Sequence, residues 1–433
     1  MLERLFRLKE NGATVRTEVF AGLTTFLTMA YIIVVNPDIL SGAGMDKGAV
    51  FVATCLAAAY GSLVMGLYAN YPVALAPGMG LNAFFAFVVV KGMGVTWPVA
   101  LAAVAVSGVL FILLSVLPFR AWLINSIPRS QKLAIASGIG LFLGFIGLKS
   151  AGILAADPAT FVTVGKLVSW PVGLACLGFA IMVGLDYRRV PGAIMIGIFL
   201  VTAAGIYLGV SHRPPGMMSV PPSIAPTLFA FDFAGLFKLS VATVAVLVFS
   251  FLLVALFDTA GTLIGLAHQA KLLDENGNLP RLGQALVADS TSTVVGAALG
   301  TSTTTCYIES AAGIRAGGRT GLTAVVAAAL FLLSLVFAPL ATSIPGYATA
   351  PAILFVACVM ARGIADLDWE DVTEYVPAII TAMGMPFTAS IAAGIGLGFI
   401  AYAVIKLICG RAREVGAAMW LVSATFLVYF LTT

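Results

Sequence analysis

Runs of 16–20 apolar residues recur along the whole chain, for instance at 19–35, 98–117, 241–256, 322–338 and 389–405. A helix needs about 20 such residues to cross ~30 Å of hydrocarbon. Lipid offers no water to backbone amides and carbonyls, so runs of this length can only be satisfied as helices. Hydrophobic residues make up 61% of the 433 and charged ones 10%, against roughly 25% charged in soluble domains. The chain therefore reads as an all-α polytopic membrane protein. Its net charge of +4 belongs to Lys and Arg in membrane-flanking loops and is not a nucleic-acid footprint. Cys55, Cys176, Cys306, Cys358 and Cys409 are scattered without paired spacing, and there are two histidines. Neither a disulfide framework nor a His-built metal centre is expected. Arg4, Arg7, Lys9 and Arg16 precede the first apolar run as in a signal peptide, but that run is long, lacks a cleavage site and is followed by many more. It reads as the first transmembrane helix.

Helices are expected near 17–38, 49–69, 71–90, 97–118, 133–148, 170–187 and 191–209. A second set follows near 241–266, 283–297, 299–315, 320–338, 347–362, 372–385 and 388–408. The sets match. In each, the third member is abnormal and the last two are joined by a very short turn, at 188–191 and at Pro386. Interrupted segments at corresponding places point to a transporter site between inverted repeats. Seven helices per half is odd, so the halves must be inverted. With the N-terminus cytoplasmic, six of the 23 Lys and Arg fall outside (Lys47, Lys91, Lys149, Lys166, Arg213, Lys238) and the others inside, among them Arg120, Arg188, Lys271, Arg315 and Arg319, as the positive-inside rule requires. A further apolar stretch, 415–432, either spans again or lies against the others.

The third segment opens YPVALAPGMGLNAFF at 71–85. Pro72 and Pro77 disfavour helix at the residues before them, so 72–76 is expected to be extended, with a helix starting after Pro77. Segment 300–313, GTSTTTCYIESAAG, repeats the plan: Thr303, Thr304 and Thr305 favour a strand, and a helix then carries Glu309. The two extended pieces run in opposite directions and can pair at the midplane. Both half-helices would aim amide groups, near Gly80 and Ile308, at one place. A carboxylate at membrane depth is costly and marks an ion or substrate path. Glu309 is one. Asp258, in FSFLLVALFDTAGTLIG at 249–265, is the other, and Thr262 shares its helix face four residues on. Asn82 adds a third polar group, although asparagine also bridges helices without binding anything. Asp289 reads as a cap or near-surface group, Asp38 as a turn closing the first helix, and Asp366, Asp368, Glu370, Asp371 and Glu374 as a solvated inside loop. Arg315 and Arg319 read as cytoplasmic, steadying the end of the Glu309 helix through its dipole.

The stretches APGMGLNAFF (76–85), LFDTAGT (256–262) and TTTCYIESAAGIRAGGRTG (303–321), with TVRTEVFAGLTTFLTMAY (14–31), resemble AzgA-like adenine, guanine and hypoxanthine permeases of the nucleobase–cation symporter-2 (nucleobase/ascorbate transporter) group. The resemblance covers roughly residues 10–410. It implies a fold of seven plus seven inverted helices. Segments 17–118 and 241–338 would form a substrate-carrying core, and 133–209 and 347–408 a gate, with elevator-like motion in a homodimer. It places Asn82, Asp258 and Glu309 on the matching binding positions. Two departures favour the purine branch over uracil: the eighth-helix acid is the shorter Asp258, and the uracil branch's nearby histidine is missing. The tail from Glu414 to Thr433 lies outside the shared fourteen helices.

The function expected is purine import across the plasma membrane with proton symport, sodium being the second alternative for the coupling ion, and with no cofactor. Glu309 would accept purine N–H groups and Asp258 would carry the proton. Thr262, Asn82, Gly80 and Ile308 would complete the site. A xanthine or uracil permease or an anion exchanger of the same architecture remain alternatives. No HExxH and no Gly-x-Ser-x-Gly occurs, which speaks against an enzyme, and acids at broken helices suit alternating access better than a channel.

Overall fold

The computed structural model describes residues 2–116, 128–158, 160–270, 272, 279–388 and 390–432. Residues 117–118 of the expected fourth helix, with Arg120 and Lys271, lie outside them. Among the described residues, nine helices are long and apolar enough to cross a membrane. After a short α1 (Leu2–Phe6), the first spanning unit is two helices, α2 (Val15–Met29) and α3 (Ile32–Ser41), broken at Tyr31. The expected unbroken helix is thus corrected. Asp38 is also not a turn residue: it lies inside α3, paired with Lys47 at 3.2 Å.

Next come α4 (Lys47–Val64), β1 (Leu75–Pro77), α5 (Met79–Ala83), which continues as a π-helical stretch to Gly92, and α6 (Trp97–Val116). Then α7 (Arg129–Ser150) leads into a hairpin that the sequence reading did not foresee, β2 (Leu154–Asp157) with β3 (Phe161–Val164), before α8 (Trp170–Tyr187) and α9 (Ala193–Tyr207). A short α10 (Phe233–Lys238) precedes the second half. That half comprises α11 (Val241–Ala270), α12 (Leu282–Leu299), β4 (Thr304–Cys306), α13 (Ser310–Arg315), α14 (Gly321–Leu333), α15 (Ala338–Thr342), α16 (Gly346–Ala361), α17 (Val372–Phe387) and α18 (Ile391–Ile408). The tail helix α19 (Ala417–Thr432) packs on α18, where Phe426 meets Phe399 edge-on and the Ser423 hydroxyl donates to the Phe399 carbonyl at 3.0 Å.

Packing repeats between the halves with inverted sense. Helix α14 lies on α2 and α4, as α6 lies on α11 and α12; α17 lies on α7, as α8 lies on α16. These pairings make the seven-plus-seven inverted repeat. They also sort the helices into a larger group (α2–α6 with α11–α14) and a smaller one (α7–α9 with α16–α18). Small residues allow the close approaches. Gly321 stands against the Gly66 carbonyl so tightly that a Cβ there would collide with it.

β1 and β4 pair antiparallel at the centre, Leu75 opposite Cys306, Ala76 opposite Thr305 and Pro77 opposite Thr304. Neighbouring helices satisfy what a two-stranded ladder leaves over, as backbone buried from water requires. The Leu75 amide donates to Ser62 Oγ at 2.9 Å, which donates back to the Leu75 carbonyl at 3.1 Å, and Thr293 Oγ1 donates to the Thr304 carbonyl at 2.9 Å.

The acidic stretch after α16 is not simply solvated. Glu374 lies within α17, 2.7 Å from the fully buried Lys406 of α18. Asp371 caps α17, accepting from the Thr373 amide and hydroxyl at 2.9 and 2.7 Å, and pairs with Arg411 at 2.6 Å. The Thr373 hydroxyl and the Arg411 guanidinium hold the Asp371 carboxyl down at about 2. A carboxyl made more acidic by folding stabilises the fold above its ordinary range of about 4, and that support is lost as pH falls through the folded value. The melting-temperature gap between the native chain and Asp371→Asn in detergent should therefore be present near pH 6 and close between about pH 4 and pH 2; a gap that does not change with pH would count against this ion pair.

Candidate functional site

The β1–β4 crossing puts the starts of α5 and α13 beside one cavity of about 720 Å³, within the usual range of roughly 300–1,000 Å³ for a small-molecule pocket. Polar groups reach it from the larger helix group: Thr28, Tyr31, Asp258, Thr262, Thr305 and Glu309. The smaller group supplies an apolar wall that includes Ala136, Ile194, Phe355 and Val356. The cavity thus lies between the two helix groups.

Glu309 precedes α13 as its capping residue rather than riding within it, since β4 runs on through a turn before the helix begins. Tyr31, at the break between α2 and α3, donates to Glu309 Oε1 at 2.5 Å, and Thr28 Oγ1 reaches the Glu309 carbonyl at 3.3 Å. One carboxylate oxygen is therefore held by the protein while the group lines the cavity. Asp258 and Thr262 line it from α11, and Thr305 of β4 lines it with them. Gly80 and Ile308 line it from the two half-helix starts. Added bulk at Gly80 would collide with Ile139 of α7, so glycine keeps the two helix groups in close contact there.

Asn82 does not line the cavity. It is fully buried behind it, where its Nδ2 donates to Asn36 Oδ1 at 2.5 Å and its Oδ1 accepts from Ser302 Oγ at 2.5 Å. Asn36 Nδ2 in turn donates to Thr54 at 2.8 Å and Thr301 at 2.9 Å. This chain joins α3, α4, α5 and the approach to β4.

The sequence reading missed Tyr31, whose only signal was a polar-tipped ring in the first apolar run, and misplaced Asp289. Asp289 is no cap: it is fully buried in α12 and accepts from Thr259 Oγ1 at 2.7 Å. Asp258 and its neighbour Thr259 thus face two different carboxylate environments, one on the cavity and one behind it. Glu18 is another fully buried acid. It accepts the amides of Arg319 at 2.8 Å and Thr323 at 3.1 Å and the Thr323 hydroxyl at 2.6 Å, which complements the positive end of α14. Arg319 donates to the Ile314 carbonyl at 2.8 Å, closing the end of α13, whereas Arg315 lines the cavity.

The exposed charges Asp186, Arg315, Arg362 and Asp366 line the cavity at one end, on the side where Glu18 begins α2. At the other end the two helix groups touch: Asp38 of α3 accepts from Thr349 of α16 at 2.8 Å, and Lys47 reaches the Ile344 carbonyl at 3.4 Å. Among the described residues no cluster of three or more His, Cys, Asp or Glu is arranged to hold a metal ion.

The model of the Permease family (Xan_ur_permease) matches residues 16–397. Adenine permease AdeP of Escherichia coli is 51% identical over 428 residues, covering 99% of this chain and 95% of that protein. Guanine/hypoxanthine permease PbuG of Bacillus subtilis is 44% identical, covering 99% of each. Among solved structures, the transmembrane domain of a cyanobacterium bicarbonate transporter, BicA, superposes with a TM-score of 0.66 at 15% identity, covering 87% of this chain and 97% of that one. At that identity the likeness shows the fold alone. The chain belongs to the Permease family and is an integral membrane transporter, not an enzyme. Asn82→Ala would leave Asn36 Oδ1 and the Ser302 hydroxyl unpaired in a dry interior, so it should cost about 1–3 kcal/mol of stability, read as a lower melting temperature in detergent; an unchanged melt would remove Asn82 from this bracing chain.

Proposed function

We propose that this Permease family member imports purine nucleobases (adenine, guanine or hypoxanthine) together with protons, by alternating access of one central site. The observation that carries the reading is the cavity itself: two carboxyl groups face it, Glu309 from the crossing of the two broken helices and Asp258 from α11, and it opens at one end while the helix groups touch at the other. The names of the relatives, an adenine permease and a guanine/hypoxanthine permease, support the purine class.

A purine is flat, neutral and edged with donors and acceptors. With Tyr31 on one oxygen, Glu309 has its other oxygen for a ring N–H or amino donor. Thr262 and the backbone near Gly80 and Ile308 meet the remaining edge, and the apolar wall covers the ring face. Asn82 acts on this site by bracing the crossing. Asp258, the second carboxyl on the cavity, takes a proton from the side where protons are plentiful and gives it up on the other. Segments 17–118 and 241–338 serve as the moving core and 133–209 and 347–408 as the gate, an elevator arrangement in which the apolar wall stays with the gate. The N-terminus is cytoplasmic, the cavity opens to the cytoplasm, and the chain works in the plasma membrane as a homodimer.

Uptake of radiolabelled adenine, guanine and hypoxanthine into cells lacking their own nucleobase permeases, with and without a protonophore, tests the whole reading. Saturable uptake that collapses with the uncoupler is expected; none, from a chain shown to reach the membrane, overturns it. Asp258→Asn should abolish accumulation above the external concentration, and full accumulation would end the proton role. Glu309→Gln replaces an acceptor by a donor at a charge-assisted bond of about 1.5–3 kcal/mol, so affinity should fall roughly 10–100-fold; unchanged affinity would remove Glu309 from the site.

A further inference from the structure

Residues 2–16 form a second surface, away from the cavity. The outer side of α2 exposes Val19, Phe20, Leu23 and Leu27, a helical stripe of apolar groups that belongs in hydrocarbon. Arg16 is one turn before Phe20, so it stands where hydrocarbon ends. The preceding residues do not run off into water from there. Phe6, Leu8 and Ala13 are buried against Leu322, in the first turn of α14. Asn70 clasps the two pieces: its Nδ2 donates to the Phe6 carbonyl at 3.1 Å and its Oδ1 accepts the Gly321 amide at 2.7 Å. The segment therefore lies along the membrane end of α14, at the level of Arg16.

Its outward side is amphipathic. Leu2 and Leu5, three apart on α1 and so on one face, are both exposed. The two acids are used within the segment, Glu3 accepting the Lys9 amide at 3.0 Å and Glu10 facing Arg7 at 3.8 Å. Arg4, Lys9 and Arg16 are exposed and pair with no acid among the described residues.

We propose that residues 2–16 are an interfacial anchor for anionic lipid headgroups. Leu2 and Leu5 enter the acyl boundary, while Arg4, Lys9 and Arg16 meet lipid phosphates. Apolar side chains beside uncompensated cations at the hydrocarbon edge are the chemistry that binds such a surface. Because the segment is fastened to α14, the bound lipid travels with the larger helix group. The anchor thus sets the level of the helices that carry Glu309 and Asp258.

The test uses the full chain in phosphatidylcholine vesicles with and without phosphatidylglycerol. A bimane label is placed at Leu5→Cys after the exposed Cys176, Cys358 and Cys409 are changed to serine. Doxyl groups high on the acyl chains should quench the label and aqueous iodide should not. Retention of phosphatidylglycerol in native mass spectrometry should fall about fivefold for each of Arg4→Gln, Lys9→Gln and Arg16→Gln, from about 1 kcal/mol per cation. Full quenching by iodide with none by doxyl lipid would overturn the anchor and leave the surface to a soluble partner. Undiminished phosphatidylglycerol retention in the triple variant would overturn the headgroup contact.

Discussion

The antiparallel crossing of β1 and β4 is the constraint on which the rest of the molecule depends. Six residues of extended backbone sit at membrane depth, where an unpaired amide or carbonyl has no water to turn to. Each strand pairs with the other, and Ser62 and Thr293 take up part of what remains. The helices that carry those hydroxyls must therefore press against the crossing, and Gly66 and Gly321 let α4 and α14 close behind it. Once the crossing is fixed, α5 and α13 start beside the same cavity, and Glu309 has a single place to go.

The buried acids show how one residue type takes different roles according to its neighbours. Glu18 is consumed by backbone amides at the start of α14 and holds helices together. Asp289 accepts a hydroxyl from Thr259 and lies out of the cavity's reach. Glu309 is held by the Tyr31 hydroxyl, and both it and Asp258 face open space. That difference in surroundings is why the proposed function gives the ligand and the proton to Asp258 and Glu309 and not to Glu18 or Asp289.

The two helix groups meet the cavity with different chemistry. One brings every carboxyl and hydroxyl that the proposed site uses; the other brings an apolar wall, with the charges Asp186, Arg362 and Asp366 only at the exposed end. Their contact through Asp38 and Thr349 lies at the end away from the exposed charges. That asymmetry is what the proposed alternating site requires, because the two ends cannot be closed by the same contacts at the same time.

Much of this was legible in the residues. Apolar runs of membrane length specified the class, because only helices satisfy a backbone in lipid. Two Pro- or Thr-interrupted segments at matching places specified the inverted repeat and the crossing, because those residues refuse helix locally. Asp258, Thr262, Gly80, Ile308 and Glu309, picked from that pattern, all line one cavity. The structure alone decided the rest. It turned Asn82 inward to Asn36 and Ser302, buried Asp289 in place of leaving it near a surface, brought Tyr31 to Glu309, and drew Glu374 and Asp371 into ion pairs with Lys406 and Arg411. Local sequence specifies what a backbone segment can be, since sterics and hydrogen-bond capacity act between near neighbours. Which polar group meets which, across tens or hundreds of residues, depends on how the helices rotate against one another, and that is set only when the whole bundle packs.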